Sequence, residues 1–452
     1  MKTNIRLWIL AAALPLLTAC GGGDTNSTAA ADSTAVPDSA AAEPAAPASP
    51  RANAPAQIRG LYINAYAAGS RARLPKLIAM ADSTEINAFV IDVKDERGIR
   101  YQSQIPLAME LAQEGEVTIR DLPAMLDTLK AHEIYTIARI VLFNDPILSQ
   151  AKPEWSIRRP DGSLWLDRAG HSWVSPWDKD VWEHNLAIAE EVAKAGFHEI
   201  QFDYVRFPEQ FQSLPPQVHP EAQGDRPDAI AAFLNEAKRR LHPLGVTVTA
   251  DVFGLSPNTS DDVGIGQQWE TLAAIADHML PMMYPSHYFA THLPGVPRPH
   301  AMPYETIYTS AGMARLRNDR LKEAGIEPAR VIVWLEAFQA TWLRDGVVYG
   351  AEQIRQQKKG VYDVGFEDWV LWHPGSQYEP FLGGLDKTTE SQAVAPYTPP
   401  AAVLAAVDRF EAEGVRAARE RALEQARGQI ADPAAAQEAR TGEDAPAAPP
   451  GR

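Results

Sequence analysis

The sequence predicts a (β/α)₈ barrel, which we place in residues 57 to 385. Eight short apolar, β-rich runs recur along this region, each bounded by Gly, Pro or polar residues. Amphipathic helical patterns separate the runs, and strands that alternate with helices pair in parallel through right-handed crossovers. The length of the region also suits this fold class, because barrel domains commonly have about 250 residues and more with insertions.

The predicted strands, in chain order, are 58–64, 88–94, 134–141, 198–204, 246–252, 278–284, 331–338 and 368–373. Helical patterns are clearest at 121–132, 178–195 and 227–241, which precede the third, fourth and fifth strands. For the helix at 178–195 the segment Ser-Pro-Trp-Asp is a start signal, with Pro176 expected at the first helical position.

The main alternative is an open, doubly wound sheet. That fold often carries a Gly-rich phosphate-binding turn after its first strand. Here residues 64–70 follow the first strand, and no G-x-G-x-x-G or G-x-x-x-x-G-K motif occurs in the domain. The barrel is therefore favoured.

The N-terminal residues resemble a bacterial lipoprotein signal. Lys2 and Arg6 flank the start of an apolar run at 7–17, which is short for a membrane span. The run ends in Leu-Thr-Ala-Cys, which resembles a lipobox, and such a signal implies lipidation of Cys20. The alternative is an ordinary secretory signal with a chance cysteine. Since Cys20 is the only cysteine, an intramolecular disulfide is excluded.

The segments that flank the domain predict tethers. We divide the chain into a signal at 1–20, a disordered tether rich in Ala, Pro and Ser at 21–56, the barrel at 57–385 and a tail at 386–452. Within the tail, 401–430 is rich in Ala, Glu and Arg and predicts one helix. No Asp follows Cys20, and resemblance to Gram-negative lipoproteins then implies the outer membrane of a bacterial cell envelope.

The formal net charge of −16 argues against nucleic acid as a partner and against electrostatic binding to anionic lipid. We therefore predict membrane attachment through Cys20 alone. We also predict a monomer.

Acidic side chains recur at the predicted carboxyl ends of the strands, which surround the active-site mouth of a barrel. They are Asp92, Asp203, Asp251 and Glu336. A structural ion pair explains any one of them, but like charges around one mouth repel, so together they indicate chemistry. The other predicted substrate-binding residues of the mouth are Asn64, Lys94, Arg139, Arg206, Tyr284, His287, Trp372 and His373.

Glycoside hydrolysis needs two carboxylic groups that flank the scissile bond. We assign Asp203 as nucleophile or charge stabiliser, kept ionised by the nearby Arg206. We assign Asp251 as general acid/base, because apolar neighbours would raise its pKa. Glu336 is the rival for the acid role for the same reason. Aromatic residues in the loops after the third and sixth strands suit sugar rings, which have apolar faces and polar edges.

Other chemistries lack their signatures. The first strand has no His-x-His of a barrel metallohydrolase, the histidines at 287–300 have no zinc-site spacing, and no G-x-S-x-G elbow occurs. We therefore predict neither a metal nor a cofactor.

Four segments, 60–62, 90–95, 135–141 and 199–208, closely resemble a bacterial family of glycoside hydrolases that was long known only as a domain of unknown function. The resemblance covers roughly residues 57 to 385. It implies a TIM barrel related to α-amylase-like and α-galactosidase-like enzymes, with the nucleophile at Asp203. The Arg that precedes the nucleophile in those relatives is replaced here by Gln201.

Two functions remain open. The first is a glycosidase that cleaves an envelope or extracellular polysaccharide. The second is a carbohydrate-binding or envelope-scaffolding lipoprotein on a barrel without catalysis, which the fold alone cannot separate from the first. The acidic residues at opposed strand ends favour the enzyme, because a binding protein has no need of them.

Overall fold

The structure is a computed structural model that describes residues 54–385 and 397–430, with side chains up to residue 423. The predicted signal, Cys20, nearly all of the tether and residues 431–452 lie outside the described residues. Eight parallel strands close into a barrel, because each strand pairs with the next and the eighth pairs with the first. The predicted fold class is confirmed.

All eight predicted runs contain a barrel strand. The strands are β1 (Arg59–Ile63), β2 (Ala88–Asp95), β3 (Tyr135–Val141), β4 (Glu199–Asp203), β5 (Thr247–Phe253), β6 (His278–Met282), β7 (Val333–Glu336) and β8 (Trp369–Trp372). Two further two-residue strands extend the sheet. Gly98–Ile99 pairs antiparallel with the end of β2, and Arg330–Val331 pairs with β6 ahead of β7.

Seven principal helices surround the strands. They are α1 (Leu74–Ser83), α2 (Leu122–Ala131), α3 (Lys179–Ala195), α4 (Arg226–Leu241), α5 (Trp269–Ile275), α6 (Pro303–Glu323) and α7 (Ala351–Asp363). Shorter helices lie at Ala65–Ala68, Pro106–Glu110 and Pro146–Ala151. The three predicted helices are thus confirmed as α2, α3 and α4.

The predicted start of α3 at Pro176 is wrong. The helix begins at Lys179, and Asp178 is its N-cap, with a side chain that accepts hydrogen bonds from the amides of Asp180 and Val181. The carboxylate of Asp178 satisfies two amides that have no partner within the helix, so the cap forms there.

Apolar side chains form two layers that follow the alternation of the strands. Along β2, Ala88 and Val90 belong to the cluster inside the barrel, whereas Phe89 and Ile91 belong to the layer between strands and helices. Full burial of a large apolar side chain contributes about 1.5–3 kcal/mol, so both layers stabilise the closed barrel. Near the carboxyl ends the inward positions change from apolar to polar.

The C-terminal segment packs against the barrel as two helices, α8 (Ala401–Phe410) and α9 (Arg416–Ile430). The prediction of one helix is wrong at Gly414, whose φ of 141° is not helical. Val407 and Phe410 of α8 pack on Met313 of α6. Among the residues that the structure describes, no helix combines the length and apolar content needed to cross a membrane.

Candidate active site

A cavity of about 440 Å³ opens at the carboxyl ends of the strands. Seven of the predicted site residues line it: Arg139, Asp203, Arg206, Asp251, Tyr284, His287 and Trp372. The other lining residues are Tyr204, Glu209, Phe253, Gly254, Leu255, Met282, Tyr288 and Trp334.

Arg139, on β3, bonds one carboxylate from each of the two strands beside it, β2 and β4. Its Nε and Nη2 donate to Oδ2 of Asp203 at 3.0 and 2.5 Å, and its Nη1 donates to Oδ1 of Asp92 at 2.5 Å. The three side chains are at least nine-tenths buried. Charge-assisted bonds to a rigid guanidinium fix the orientation of both carboxylates.

The predicted ion pair between Arg206 and Asp203 is wrong. Arg206 lines the cavity, but its guanidinium donates to Oε2 of Glu209 at 3.2 Å and to the carbonyl of Phe207 at 3.0 Å. The Arg206 guanidinium lies over the ring of Phe253, 4.5 Å from its centroid. The register of β3 with β4 places Arg139 beside Gln201, two residues before Asp203. Arg139 therefore supplies the positive charge that we had assigned to Arg206.

Asp251 is buried and in a different environment. Its Oδ1 accepts from Nε2 of Gln201 at 2.5 Å and from Nε1 of Trp334 at 2.7 Å, and both donors are neutral. Burial, followed by the charge of Asp203, raises the pKa of Asp251 well above its usual value. Its Oδ2 accepts no hydrogen bond from the described residues and is free to bond a ligand.

Asp92 lies beneath these groups. Burial is the largest influence on its carboxyl and raises its pKa to about 6, although Arg139 opposes the shift. The hydroxyl of Tyr62 donates to Oδ2 of Asp92, and the Tyr62 ring stacks on Trp372 with centroids 3.9 Å apart. Asp92 thus supports Arg139 and the aromatic wall of the cavity.

The backbone after β4 is strained where it carries the candidate nucleophile. Tyr204 has φ of 51°, in the left-handed region that bulky residues rarely adopt. In this conformation its amide donates to Oδ1 of Asp203 at 2.6 Å. Both oxygens of Asp203 are therefore held by donors, as strained backbone at functional sites often achieves.

Residues 60–378 match a family described as "putative glycosyl hydrolase domain". The match covers more than half of the chain. The chain belongs to this family. The carboxylates of this glycosyl hydrolase domain lie at the carboxyl ends of the strands, which surround the active-site mouth of a barrel.

Solved structures are similar to this glycosyl hydrolase domain. A hypothetical protein from Ruminiclostridium thermocellum is 36% identical, over 42% of this chain and 97% of that one, with a TM-score of 0.39. The glycoside hydrolase domain of PgaB (BpsB) from Bordetella bronchiseptica is 14% identical, over 73% and 99%, with a TM-score of 0.52. The α-L-fucosidase isoenzyme 2 from Paenibacillus thiaminolyticus is 14% identical, over 73% and 48%, with a TM-score of 0.48. The PgaB likeness supports the fold.

The comparison with curated proteins gives no match.

Glu336, the predicted rival acid, does not line the cavity of the glycosyl hydrolase domain. It is fully buried, its Oε2 accepts from the amide of Ser286 at 2.9 Å, and its Oε1 lies 3.6 Å from Nε2 of His300. Neither Oε1 nor that Nε2 has a hydrogen-bond partner. Asp251 and Glu209 are therefore the carboxylic groups that share the cavity with Asp203. Glu209 is partly exposed and bonds Arg206, whereas Asp251 is buried on a barrel strand.

Four predicted substrate ligands lie outside the cavity lining: Asp92, described above, and Asn64, Lys94 and His373. Lys94 donates to the carbonyl of Val141 at 2.6 Å and pairs with Asp145 at 2.7 Å. Asn64 caps a short helix, and Nδ1 of His373 accepts from the amide of Gly375. Their contacts are structural, and their part in substrate binding stays a prediction.

Sequence reasoning missed Gln201, Trp334 and Tyr62 as site residues. Each donates to a carboxylate of the mouth, and each lies on the inner face of its strand. The signal was the alternation of the strands: Gln201 is two residues before Asp203, and Trp334 is two residues before Glu336. Gln201, which replaces the Arg of the relatives, bonds Asp251 while Arg139 serves Asp203.

Proposed function

We propose that the protein is a glycosidase that cleaves an envelope or extracellular polysaccharide with Asp203 and Asp251. One observation carries the proposal. Two buried carboxylic groups face one cavity, and their environments differ: Asp203 is bonded to a guanidinium, whereas burial among neutral donors raises the pKa of Asp251. Such a difference assigns Asp251 as the acid and Asp203 as the nucleophile or charge stabiliser.

The chemistry follows from this assignment. Protonated Asp251 donates its proton to the glycosidic oxygen as the bond from that oxygen to the anomeric carbon breaks. Asp203 attacks the anomeric carbon or stabilises its developing positive charge. When Asp203 is the nucleophile, water then attacks that carbon, the bond from the carbon to Asp203 breaks, and the water proton goes to the carboxylate of Asp251. When no bond to Asp203 forms, water adds directly to the carbon and gives its proton to the carboxylate of Asp203. Carboxyl groups about 5–5.5 Å apart would indicate retention of configuration, and about 6.5–9.5 Å inversion.

The test is a glycan array with product detection, on the wild type and Asp203→Asn. We expect turnover of at least one glycan by the wild type, and a loss of several orders of magnitude in Asp203→Asn with the fold intact. Asp161→Asn, in an exposed turn, is the matched carboxylate control and should retain activity. Binding without turnover on every glycan would favour the non-catalytic carbohydrate-binding lipoprotein.

We also propose that a lipid on Cys20 anchors the protein, as a monomer, in the bacterial cell envelope, with the outer membrane as the site. The lipobox resemblance at 17–20 supports this proposal. Cys20→Ser should move the protein from the membrane fraction to the soluble fraction. Unchanged fractionation, together with a mature chain that carries no lipid by mass spectrometry, would refute the anchor.

A further inference from the structure

A large aromatic side chain is exposed beside the cavity. Trp342, in the loop between β7 and α7, has 57% of its surface exposed. Exposed apolar surface forgoes the free energy of burial, and a patch that adjoins a cavity commonly marks a binding site. Contacts between aromatic rings connect Trp342 to the cavity.

Four rings form a continuous series, which we call the aromatic row: Tyr284, His287, Phe338 and Trp342. Phe338 stacks on Trp342 with centroids 5.9 Å apart and an interplanar angle of 26°. The His287 ring lies 6.1 Å from Trp342 and 5.4 Å from Tyr284. Since His287 and Tyr284 line the cavity, the row leads from the candidate active site to the surface.

The loop that carries Trp342 is held in place although its residues are exposed. At its base, the side-chain amide of Gln339 exchanges two hydrogen bonds with the backbone of Tyr349, at 2.6 and 2.9 Å. At its tip, Asp345 lies 2.7 Å from Nδ1 of the buried His300. The position of Trp342 is thus fixed without burial of its ring, which is the preorganisation that a ligand site needs.

We propose that the aromatic row is a second sugar-binding subsite, with Trp342 and Phe338 as its outer end. A sugar ring has an apolar face of C–H groups that packs on an aromatic ring, and hydroxyls at its edge. A chain that enters the cavity would place a neighbouring sugar on Trp342. The substrate is therefore a glycan chain of two or more sugars. This inference rests on the proposed glycosidase function.

The first test compares chain lengths. For the polysaccharide that the wild type cleaves, kcat/KM is measured on its oligosaccharides and on the aryl monoglycoside of the same sugar. We expect Trp342→Ala to lower the ratio of long-chain to monoglycoside kcat/KM about tenfold, because loss of about 1.4 kcal/mol of stacking gives that factor. Phe289→Ala is the matched control: its ring is 71% exposed and contacts His292, outside the row. An unchanged ratio in Trp342→Ala would overturn the subsite and leave the glycosidase function standing.

The second test needs no turnover. The full chain is run by affinity electrophoresis in gels that contain glucans, xylan, galactan, or acetylated and deacetylated glucosamine polymers. We expect at least one polymer to retard the wild type and Phe289→Ala, and to retard Trp342→Ala much less. If the wild type cleaves no glycan, the proposed function fails, and the electrophoresis alone then decides whether the subsite exists. Equal retardation of all three proteins, or none by any polymer, would overturn it.

Discussion

Strand β4 begins and ends with a buried carboxylate, and the two differ in what surrounds them. At the floor of the barrel, Glu199 accepts from the hydroxyls of Tyr135 and Thr249 at 3.0 and 2.6 Å and lies 3.0 Å from Nδ1 of His278. Both of its oxygens have partners from neighbouring strands. Glu199 is fully buried and bonded to side chains of three strands, so it rigidifies the core.

At the mouth, the bonding is incomplete. Arg139 holds Asp203, but Oδ2 of the neighbouring Asp251 accepts no hydrogen bond from the described residues, and a cavity of about 440 Å³ adjoins both groups. This oxygen therefore remains available to accept a hydrogen bond from a ligand in the cavity. A single strand thus carries one carboxylate that stabilises the fold at its start and one at its end that we propose for catalysis.

Besides Asp203→Asn, the largest effect should come from Asp251→Asn, which removes the proposed acid from the mouth. We expect kcat to fall about 10³-fold, because general acid–base groups contribute typically 10²–10⁴-fold. The variant keeps an oxygen that can accept from Trp334, and it loses a buried carboxyl, so the free energy of unfolding should not decrease. Steady-state kinetics measures kcat, and denaturant unfolding measures the free energy of unfolding. Near wild-type activity, or abolition by Glu336→Gln instead, would transfer the acid role to Glu336.

A smaller loss of turnover is expected for Arg139→Lys. This change keeps the positive charge but removes the forked guanidinium that bonds both Asp92 and Asp203. A lysine provides a single ammonium, so one carboxylate loses its partner. We expect kcat/KM to fall about 10²-fold, since misplacement of about 1 Å can cost that much. The matched control is Arg206→Lys, whose guanidinium bonds Glu209. A larger loss of turnover in the control than in Arg139→Lys would restore Arg206 as the partner of Asp203.

The smallest expected effect is on how the free energy of unfolding depends on pH. The pKa of Asp92 is raised to about 6 in the folded protein, so the folded state binds more protons than the unfolded state between about pH 4 and 6. The free energy of unfolding should therefore fall as pH rises through this window, by about 1 kcal/mol from pH 5 to 6 for this group. In Asp92→Asn the free energy of unfolding should fall by about 1 kcal/mol less than in the wild type from pH 5 to 6. Urea unfolding at each pH measures the free energy of unfolding. An identical dependence on pH in the wild type and in Asp92→Asn would refute the raised pKa of Asp92.

The fold was predictable because barrel strands leave a local pattern. The eight β-rich runs and three helices could be located within a few residues, since periodicity and flanking Gly or Pro are local signals. The acidic residues at strand ends followed from the same pattern. Four of them were expected at the mouth, and two of these, Asp203 and Asp251, line the cavity.

The partners of these carboxylates were not predictable from one sequence. Arg206 was favoured because it is three residues from Asp203, whereas Arg139 is distant in the chain and adjacent only through the register of β3 with β4. Register depends on packing between strands, which the alternation along one strand does not specify. The same reason explains why Lys94 was expected at the mouth but pairs with Asp145.

The most direct test of the account is a matched pair on β4, Asp203→Asn and Glu199→Gln, measured for both turnover and stability. We predict that Asp203→Asn loses several orders of magnitude in turnover per folded molecule, while an amide oxygen can still accept from Arg139 and the fold stays intact. We predict that Glu199→Gln lowers the free energy of unfolding by about 2–3 kcal/mol, because it breaks buried charge-assisted bonds, and keeps turnover per folded molecule. Loss of turnover in Glu199→Gln at full folding, or wild-type turnover in Asp203→Asn, would contradict the account.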